Sequence, residues 1–173
     1  MKILKYLLFI VLGLVAIGLI VAAFLPKTFH VEGRATINRP ISDVYNYVKQ
    51  LKTQEVYSVW FKMDPKIKKE YAGTDGTVGA SIVWYSDEVG DGKQVITGLK
   101  ENERVDIDLY LMSTEGTPNK HYYEMKSQGD QTTDVIIGLD GHTPYPMNIM
   151  SLFFDMGKYF QENADNLKAV LEK

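Results

Sequence analysis

From Tyr6 to Leu25 the chain runs without a charge (YLLFIVLGLVAIGLIVAAFL), preceded by Lys2 and Lys5 and closed by Pro26. At about 1.5 Å rise per residue, a helix of that length is roughly 30 Å long, the thickness of a bilayer's hydrocarbon core. Nothing after Pro26 repeats the pattern. It predicts an N-terminal membrane anchor over residues 1–26, inserted through residues 6–25, and one water-soluble domain over residues 27–173. A cleavable signal peptide is the rival reading, with Val21-Ala22-Ala23 as the small residues before a cut. Against it, the run exceeds the usual ~7–15-residue apolar core of a signal and has no polar stretch before the cut. Lys2 and Lys5 on one side nearly balance Lys27 and Arg34 on the other, so loop charge barely orients the span. The very short N-terminal tail favours a single-pass arrangement, with the N-terminus cytoplasmic and the domain extracytoplasmic.

Beyond Pro26, residues 28–38 (TFHVEGRATIN) read as a strand. Pro40 then suits the start of a helix, and Ile41, Val44, Tyr45 and Val48 recur at helical spacing over 41–50. A second short helix is expected over 53–59. From about residue 67 to 140 the period becomes two. Val105, Ile107, Leu109 and Leu111 alternate with Asp106, Asp108 and Tyr110, and weaker alternation marks 80–85, 93–99, 120–126 and 132–139. Gly90-Asp91-Gly92, Glu101-Asn102-Glu103, Gly116 to Asn119 and Gly129-Asp130 separate these runs as hairpin turns, which predicts an antiparallel meander. After Pro144-Tyr145-Pro146 the helical period returns. Met150, Phe153, Phe154, Gly157, Phe160, Ala164, Leu167 and Leu171 form one stripe of a C-terminal helix about 24 residues long. One sheet and one long amphipathic helix make an α+β domain.

Charge and composition narrow the function. After residue 25 there are 17 basic and 22 acidic side chains, so the domain is acidic and has no basic stripe with which to neutralise nucleic-acid phosphates. The chain has no cysteine, which excludes disulfides, thiolate metal sites and cysteine nucleophiles. There is no HExxH or paired-histidine spacing, so no metal site and no cofactor are expected. Ser58, Ser81, Ser86 and Ser151 lack a nucleophile-elbow context. Gly73, Gly76 and Gly79 fall in a pattern that is not the dinucleotide fingerprint and reads as a turn. Asp106 and Asp108 oppose an apolar face and read as solvated. His30 follows the membrane segment closely and reads as interfacial. His121 precedes Tyr122-Tyr123 in a strand and is either an ordinary sheet histidine or a cavity residue. His142 lies in a turn where Asp140 could orient it as a base, although turn composition explains it equally well. No catalytic constellation emerges.

The order of short motifs is more informative. Ala35-Thr36-Ile37-Asn38-Arg39-Pro40-Ile41-Ser42-Asp43-Val44-Tyr45, then Tyr71-Ala72-Gly73, Val78-Gly79-Ala80, Trp84, Val89-Gly90-Asp91-Gly92, Tyr145-Pro146 and Leu167-Lys168 follow one another along 28–173. This succession resembles the helix-grip superfamily of START-like, birch-pollen-allergen-like and polyketide cyclase/dehydrase proteins (SRPBCC), whose bacterial members include membrane-anchored chains. Val59-Trp60-Phe61-Lys62-Met63-Asp64 departs from the Trp-Ser-Pro-Trp-like run that related chains often show.

The resemblance implies a helix-grip fold, an antiparallel sheet wrapped around the long C-terminal helix, with an apolar pocket between them. In such a pocket the inward residues would be Trp84, Val95, Leu109, Tyr123, Val135, Met150, Phe154 and Gly157, with His121 supplying an orienting hydrogen bond. Methionine adapts to irregular apolar shapes, and Gly157 costs a helix about 1 kcal/mol relative to alanine, which close approach or room for a ligand would explain. Strand parity matters, because an error of one residue turns every side chain to the other face. The expected function is binding of a small hydrophobic ligand (a lipid, quinone or aromatic compound) without chemistry. One alternative is an interaction module with a filled core and an exposed aromatic patch around Tyr57–Phe61. Another is a cyclase- or hydrolase-like enzyme using His121 or His142.

Overall fold

The computed structural model describes residues 2–111 and 116–173. The chain divides into two compact units, one formed by the residues up to Phe29 with His142–Asp155, the other by His30–Gly141 with Met156–Lys173. In the first unit, helix α1 (Lys2–Phe24) carries the uncharged run. Its stretch Ile3–Phe24, 22 residues, is long and apolar enough to cross a membrane.

The second unit is built on a seven-stranded antiparallel sheet of order β1-β7-β6-β5-β4-β3-β2. Its strands are β1 (Thr28–Ile37), β2 (Lys68–Ala72), β3 (Ser81–Tyr85), β4 (Gly92–Lys100), β5 (Arg104–Leu111), β6 (Asn119–Ser127) and β7 (Thr133–His142). From β2 to β7 each strand pairs with the next in sequence, the meander that the turn residues predicted. Asn102, at φ +56°, takes the left-handed conformation in the β4–β5 turn, which asparagine tolerates better than most residues. The crossover from β1 to β2 contains α2 (Ile41–Val48), a 3₁₀ turn (Leu51–Thr53), α3 (Gln54–Tyr57) and α4 (Val59–Met63). Asp75 holds the 3₁₀ turn by accepting from the Leu51 and Lys52 amides at 2.7 and 3.2 Å.

The C-terminal helix is shorter than its sequence pattern predicts. A 3₁₀ turn covers Met147–Leu152, the chain breaks out of helix, and α5 runs only from Met156 to Leu171. The hydrogen bonds explain the break. The amides of both Phe153 and Phe154 converge on the Met150 carbonyl, closing the 3₁₀ turn, and Asn148 is committed to the end of α1. Helix α5 buries Phe160, Asn163, Ala164 and Leu167, an i, i+3, i+4, i+7 stripe.

That helix lies against β1 at Gly33. A Cβ there would sit 1.9 Å from the Phe160 carbonyl oxygen, so only glycine admits the helix backbone. At the next residue the Gln161 side chain substitutes for a neighbouring strand: its Oε1 accepts from the Arg34 amide at 3.1 Å and its Nε2 donates to the Arg34 carbonyl at 2.9 Å. Lys168 donates to the Thr36 carbonyl, and Glu172 accepts from the Asn38 amide at 2.7 Å. The edge strand's backbone is thereby occupied, and the opposite edge, β2, carries Lys68, Lys69 and Glu70. One sheet with one long helix against it is the helix-grip α+β arrangement.

Replacing Gly33 by alanine forces β1 and α5 apart. The expected loss is about 1–3 kcal/mol of stability, as for other overpacked sites. It should lower the urea midpoint of the detergent-solubilised chain followed by Trp60 and Trp84 fluorescence, and an unchanged midpoint would contradict this packing.

Candidate functional site

The strand register sorts side chains into rows across the inner face, the one toward α5. One row runs Ile82, Gln94, Leu109, Asn119; the next runs Ile96, Ile107, His121, Leu139; a third runs Leu99, Val105, Tyr123, Ile137; Met125 and Val135 follow. Most of these residues are apolar and buried, as a sheet face packed on a helix requires. The polar exceptions Gln94, Asn119, His121 and Tyr123 occupy adjacent rows.

Trp84 closes one end of this face. Its indole lies over Gly92, where a Cβ would come within 2.2 Å of the ring, and its Nε1 donates to the Gly90 carbonyl at 3.0 Å. Phe61 meets it edge-on, ring centres 5.9 Å apart. The short helices are held in turn by α5: Asn163 Oδ1 accepts from the Val59 amide at 2.8 Å, and Asn166 donates to the Tyr57 carbonyl at 3.1 Å. This docking brings the Tyr57 hydroxyl within 2.7 Å of the Tyr123 hydroxyl in a fully buried pair. Burial pushes both phenols up, because an anion there would lose its hydration.

His121 is buried between sheet and helix, with the Tyr123 ring at 4.9 Å and the Phe160 ring at 6.1 Å. Its Nδ1 lies 2.9 Å from the Gly138 carbonyl, which can only accept, so Nδ1 carries the proton and Nε2 is the lone-pair nitrogen. Burial lowers its pKa to about 4, leaving the imidazole neutral. Its neighbours are a carbonyl and aromatic rings, and no carboxylate orients it among the described residues. Two buried amides stand out as well: Gln94 Oε1 and Gln54 Nε2 have no hydrogen-bond partner among the described residues.

The predicted site residues separate into three groups. Trp84, Leu109, His121, Tyr123 and Val135 share the inner face, and Gly157 lies in the first turn of α5. Val95 is a correction: it pairs with Ser81 and Asp108 on the outer face, because Gln94 and Ile96 take the inward positions of β4. Adjacent apolar residues at 95 and 96 made the parity ambiguous, and Lys93, on the same face as Val95, was the available signal. Met150 and Phe154 are the other correction. Both are exposed and belong to the unit containing α1, because the helix expected to carry them inward begins only at Met156. Sequence reasoning missed Gln94, Asn119, Tyr57 and Phe160, of which only Phe160 carried a periodic signal.

The outer face is polar. His30, expected to be merely interfacial, bonds Asp140 through Nδ1 at 2.7 Å and contacts Glu32 through Nε2 at 3.2 Å. The hydrogen bond it donates to the Asp140 carboxylate raises its pKa. Tyr122 donates to the same Glu32 at 2.8 Å and lowers that carboxyl's pKa, while the Arg104 guanidinium stacks 4.2 Å above the Tyr122 ring. No group of three or more metal-ligating side chains occurs among the described residues.

Solved structures share this architecture at low sequence identity. Norcoclaurine synthase from Thalictrum flavum matches at a TM-score of 0.63 and 13% identity, over 84% of this chain and 88% of that one. The Aha1 dimer from Colwellia psychrerythraea matches at 0.58 and 14%, over 83% and 96%. Ara h 8.0201 matches at 0.55 and 12%, over 83% and 97%. Likeness at this identity shows the fold alone. No protein-family model and no curated protein matches the sequence.

Burial of neutral His121 has a pH signature. The unfolded chain binds a proton there near the ordinary value of 6.5, the folded chain only near 4. Stability from the neutral ring is complete above the first value and is lost as pH falls toward the second, by up to about 3 kcal/mol. The unfolding free energy of His121→Phe should therefore fall less than that of the parent between these two pH values. A pH-independent difference between the two proteins would rule out a neutral, buried ring.

Proposed function

We propose that this protein is a membrane-tethered receptor for a small apolar molecule, a lipid, quinone or aromatic compound, held between α5 and the inner face of the sheet without chemical change. In this reading residues 1–26 are an uncleaved anchor and residues 27–173 the binding domain. The observation that carries it is the row Ile82, Gln94, Leu109, Asn119, where the Gln94 amide oxygen is buried between Ile82 and Leu109 without a partner among the described residues. Ligand sites pair an apolar lining with a few fixed polar groups, and an orphaned buried acceptor is costly unless something bonds it. Trp84, Leu109, His121, Tyr123, Val135 and Gly157 are the proposed lining. The fold supports the reading by analogy: one norcoclaurine synthase structure is in complex with dopamine and hydroxybenzaldehyde. Tethering suits a ligand that partitions into lipid, because the anchor holds the site where the ligand is concentrated.

The alternatives have less support. An interaction module was expected to expose a patch at Tyr57–Phe61, yet Tyr57, Ser58, Val59 and Phe61 are buried and Trp60 packs on Tyr159 at 5.1 Å. For an enzyme, His121 Nδ1 is taken up by the Gly138 carbonyl rather than by a carboxylate among the described residues, and Asp140, the orienter expected for His142, is bonded to His30.

Two experiments test the proposal. The full chain, extracted from host membranes in mild detergent, should carry a near-stoichiometric apolar molecule detectable by mass spectrometry of an organic extract. Gln94→Leu should lower its occupancy or affinity by roughly tenfold or less, the worth of one hydrogen bond, while leaving the fold intact. An empty parent chain, or a fully loaded variant, would contradict the assignment. For topology, a single cysteine at Asp130, in the exposed β6–β7 turn, should react with a membrane-impermeant maleimide in intact cells. Reaction only after lysis would place the domain inside.

A further inference from the structure

The segment that failed to join α5 has features of its own. No charged residue occurs from Thr143 to Phe154 (TPYPMNIMSLFF), although charges are frequent on either side. Its large apolar side chains face outward: Tyr145, Met147, Met150, Leu152, Phe153 and Phe154 are all exposed, Phe153 by 77%. An uncharged, aromatic- and methionine-rich surface of this kind is unusual for side chains facing water.

What covers it is indicated by its attachment. Asn148 Nδ2 donates to the Ala22 carbonyl at 2.8 Å and the Leu25 carbonyl at 3.0 Å, satisfying acceptors that the end of α1 leaves open. The Thr143 amide donates to the Lys27 carbonyl at 2.7 Å. Deeper along the helix, Ile149 Cδ1 would lie 3.6 Å from a Cβ at Gly18. Gly18 is six residues before Phe24, about 9 Å back along the axis at a helical rise. The segment is therefore strapped alongside the last turns of the apolar helix, level with residues that themselves face outward.

Its backbone suits such a location. The amides of Asn148, Ile149, Phe153 and Phe154 all bond carbonyls within the segment, and Ser151 Oγ donates to the Asn148 carbonyl at 2.8 Å. Internal satisfaction of this kind is what a lipid environment demands of non-helical chain.

We infer that residues 143–154 form a membrane-embedded hook: Tyr145, Met147, Met150, Leu152, Phe153 and Phe154 insert into the headgroup–acyl boundary of the same leaflet from which α1 emerges. The inference rests on the membrane tethering proposed above. The hook gives the chain a second membrane contact directly before α5. Aromatic side chains favour that boundary, where an apolar body and nearby polar groups are both accommodated.

The chain has no cysteine, so single introduced cysteines can be labelled without background. Full-length Phe153→Cys and Leu14→Cys, each carrying an environment-sensitive NBD fluorophore, would be reconstituted into phosphatidylcholine/phosphatidylglycerol vesicles. Quenching by acyl-chain nitroxide lipids and by aqueous iodide is then measured. The expected result is nitroxide quenching at both sites, with blue-shifted emission and loss of iodide quenching at position 153. If position 14 is quenched by lipid nitroxides while iodide reaches position 153, the hook is overturned and the anchor stands. If position 153 is shielded from iodide yet insensitive to lipid nitroxides, protein covers the patch and the hook is likewise overturned. If neither position senses the nitroxide lipids, membrane tethering itself fails, and the hook with it.

Discussion

The close approach of α5 to β1 is the contact on which the rest of the sheet-containing unit depends. A helix backbone can touch a strand only where the strand has no side chain, and Gly33 supplies that place opposite Phe160. One residue later on each element, the Gln161 amide takes both backbone groups of Arg34, so the helix is fixed in register as well as in distance. Everything on the inner face follows from this position. Phe160 reaches the His121 ring, Asn163 and Asn166 catch the ends of the short helices, and those helices bring Tyr57 to Tyr123 and Phe61 to Trp84. Polar side chains thus set the geometry, while apolar burial supplies the driving force.

A second constraint is the separation of charge between the two faces of the sheet. Inside, ionisable groups are held neutral: the tyrosine pair is pushed away from ionisation and His121 is kept unprotonated. Outside, Arg104, Glu32, His30 and Asp140 engage one another or the Tyr122 ring where water can still reach them. An unpaired charge under α5 would cost several kcal/mol. A neutral interior, with Gln94 Oε1 unpartnered among the described residues, suits an uncharged guest better than the ionic steps of a hydrolase.

Pattern and structure agree at some residues and part at others. In β5 the alternation of Val105 and Ile107 with Asp106 and Asp108 was clean, and their faces came out as read. In β4 the neighbours Val95 and Ile96 are both apolar, the alternation carries no phase, and the inward residue proved to be the polar Gln94. The stripe Met150, Phe153, Phe154, Gly157 had a helical period but no helix through it, because periodicity records which residues are apolar and says nothing of what they face. His30 was legible only as a histidine near the anchor. Its partner Asp140 is 110 residues away, a separation that local pattern does not span.

By itself the sequence determined the elements whose cause is local: the apolar run of α1, the hairpin turns, the alternating strands, the amphipathic stripe of α5 from Phe160 to Leu167, and with them the α+β class. Those depend on propensity and periodicity, which neighbours in the chain settle among themselves. Only the tertiary structure decided the parity of β4, the partners of His121 and His30, the capping of α1 by Asn148, and the point at which the last helix begins. Each of these turns on contacts between residues distant in the chain, and the free energy of such a contact exists only once the fold has brought both partners together.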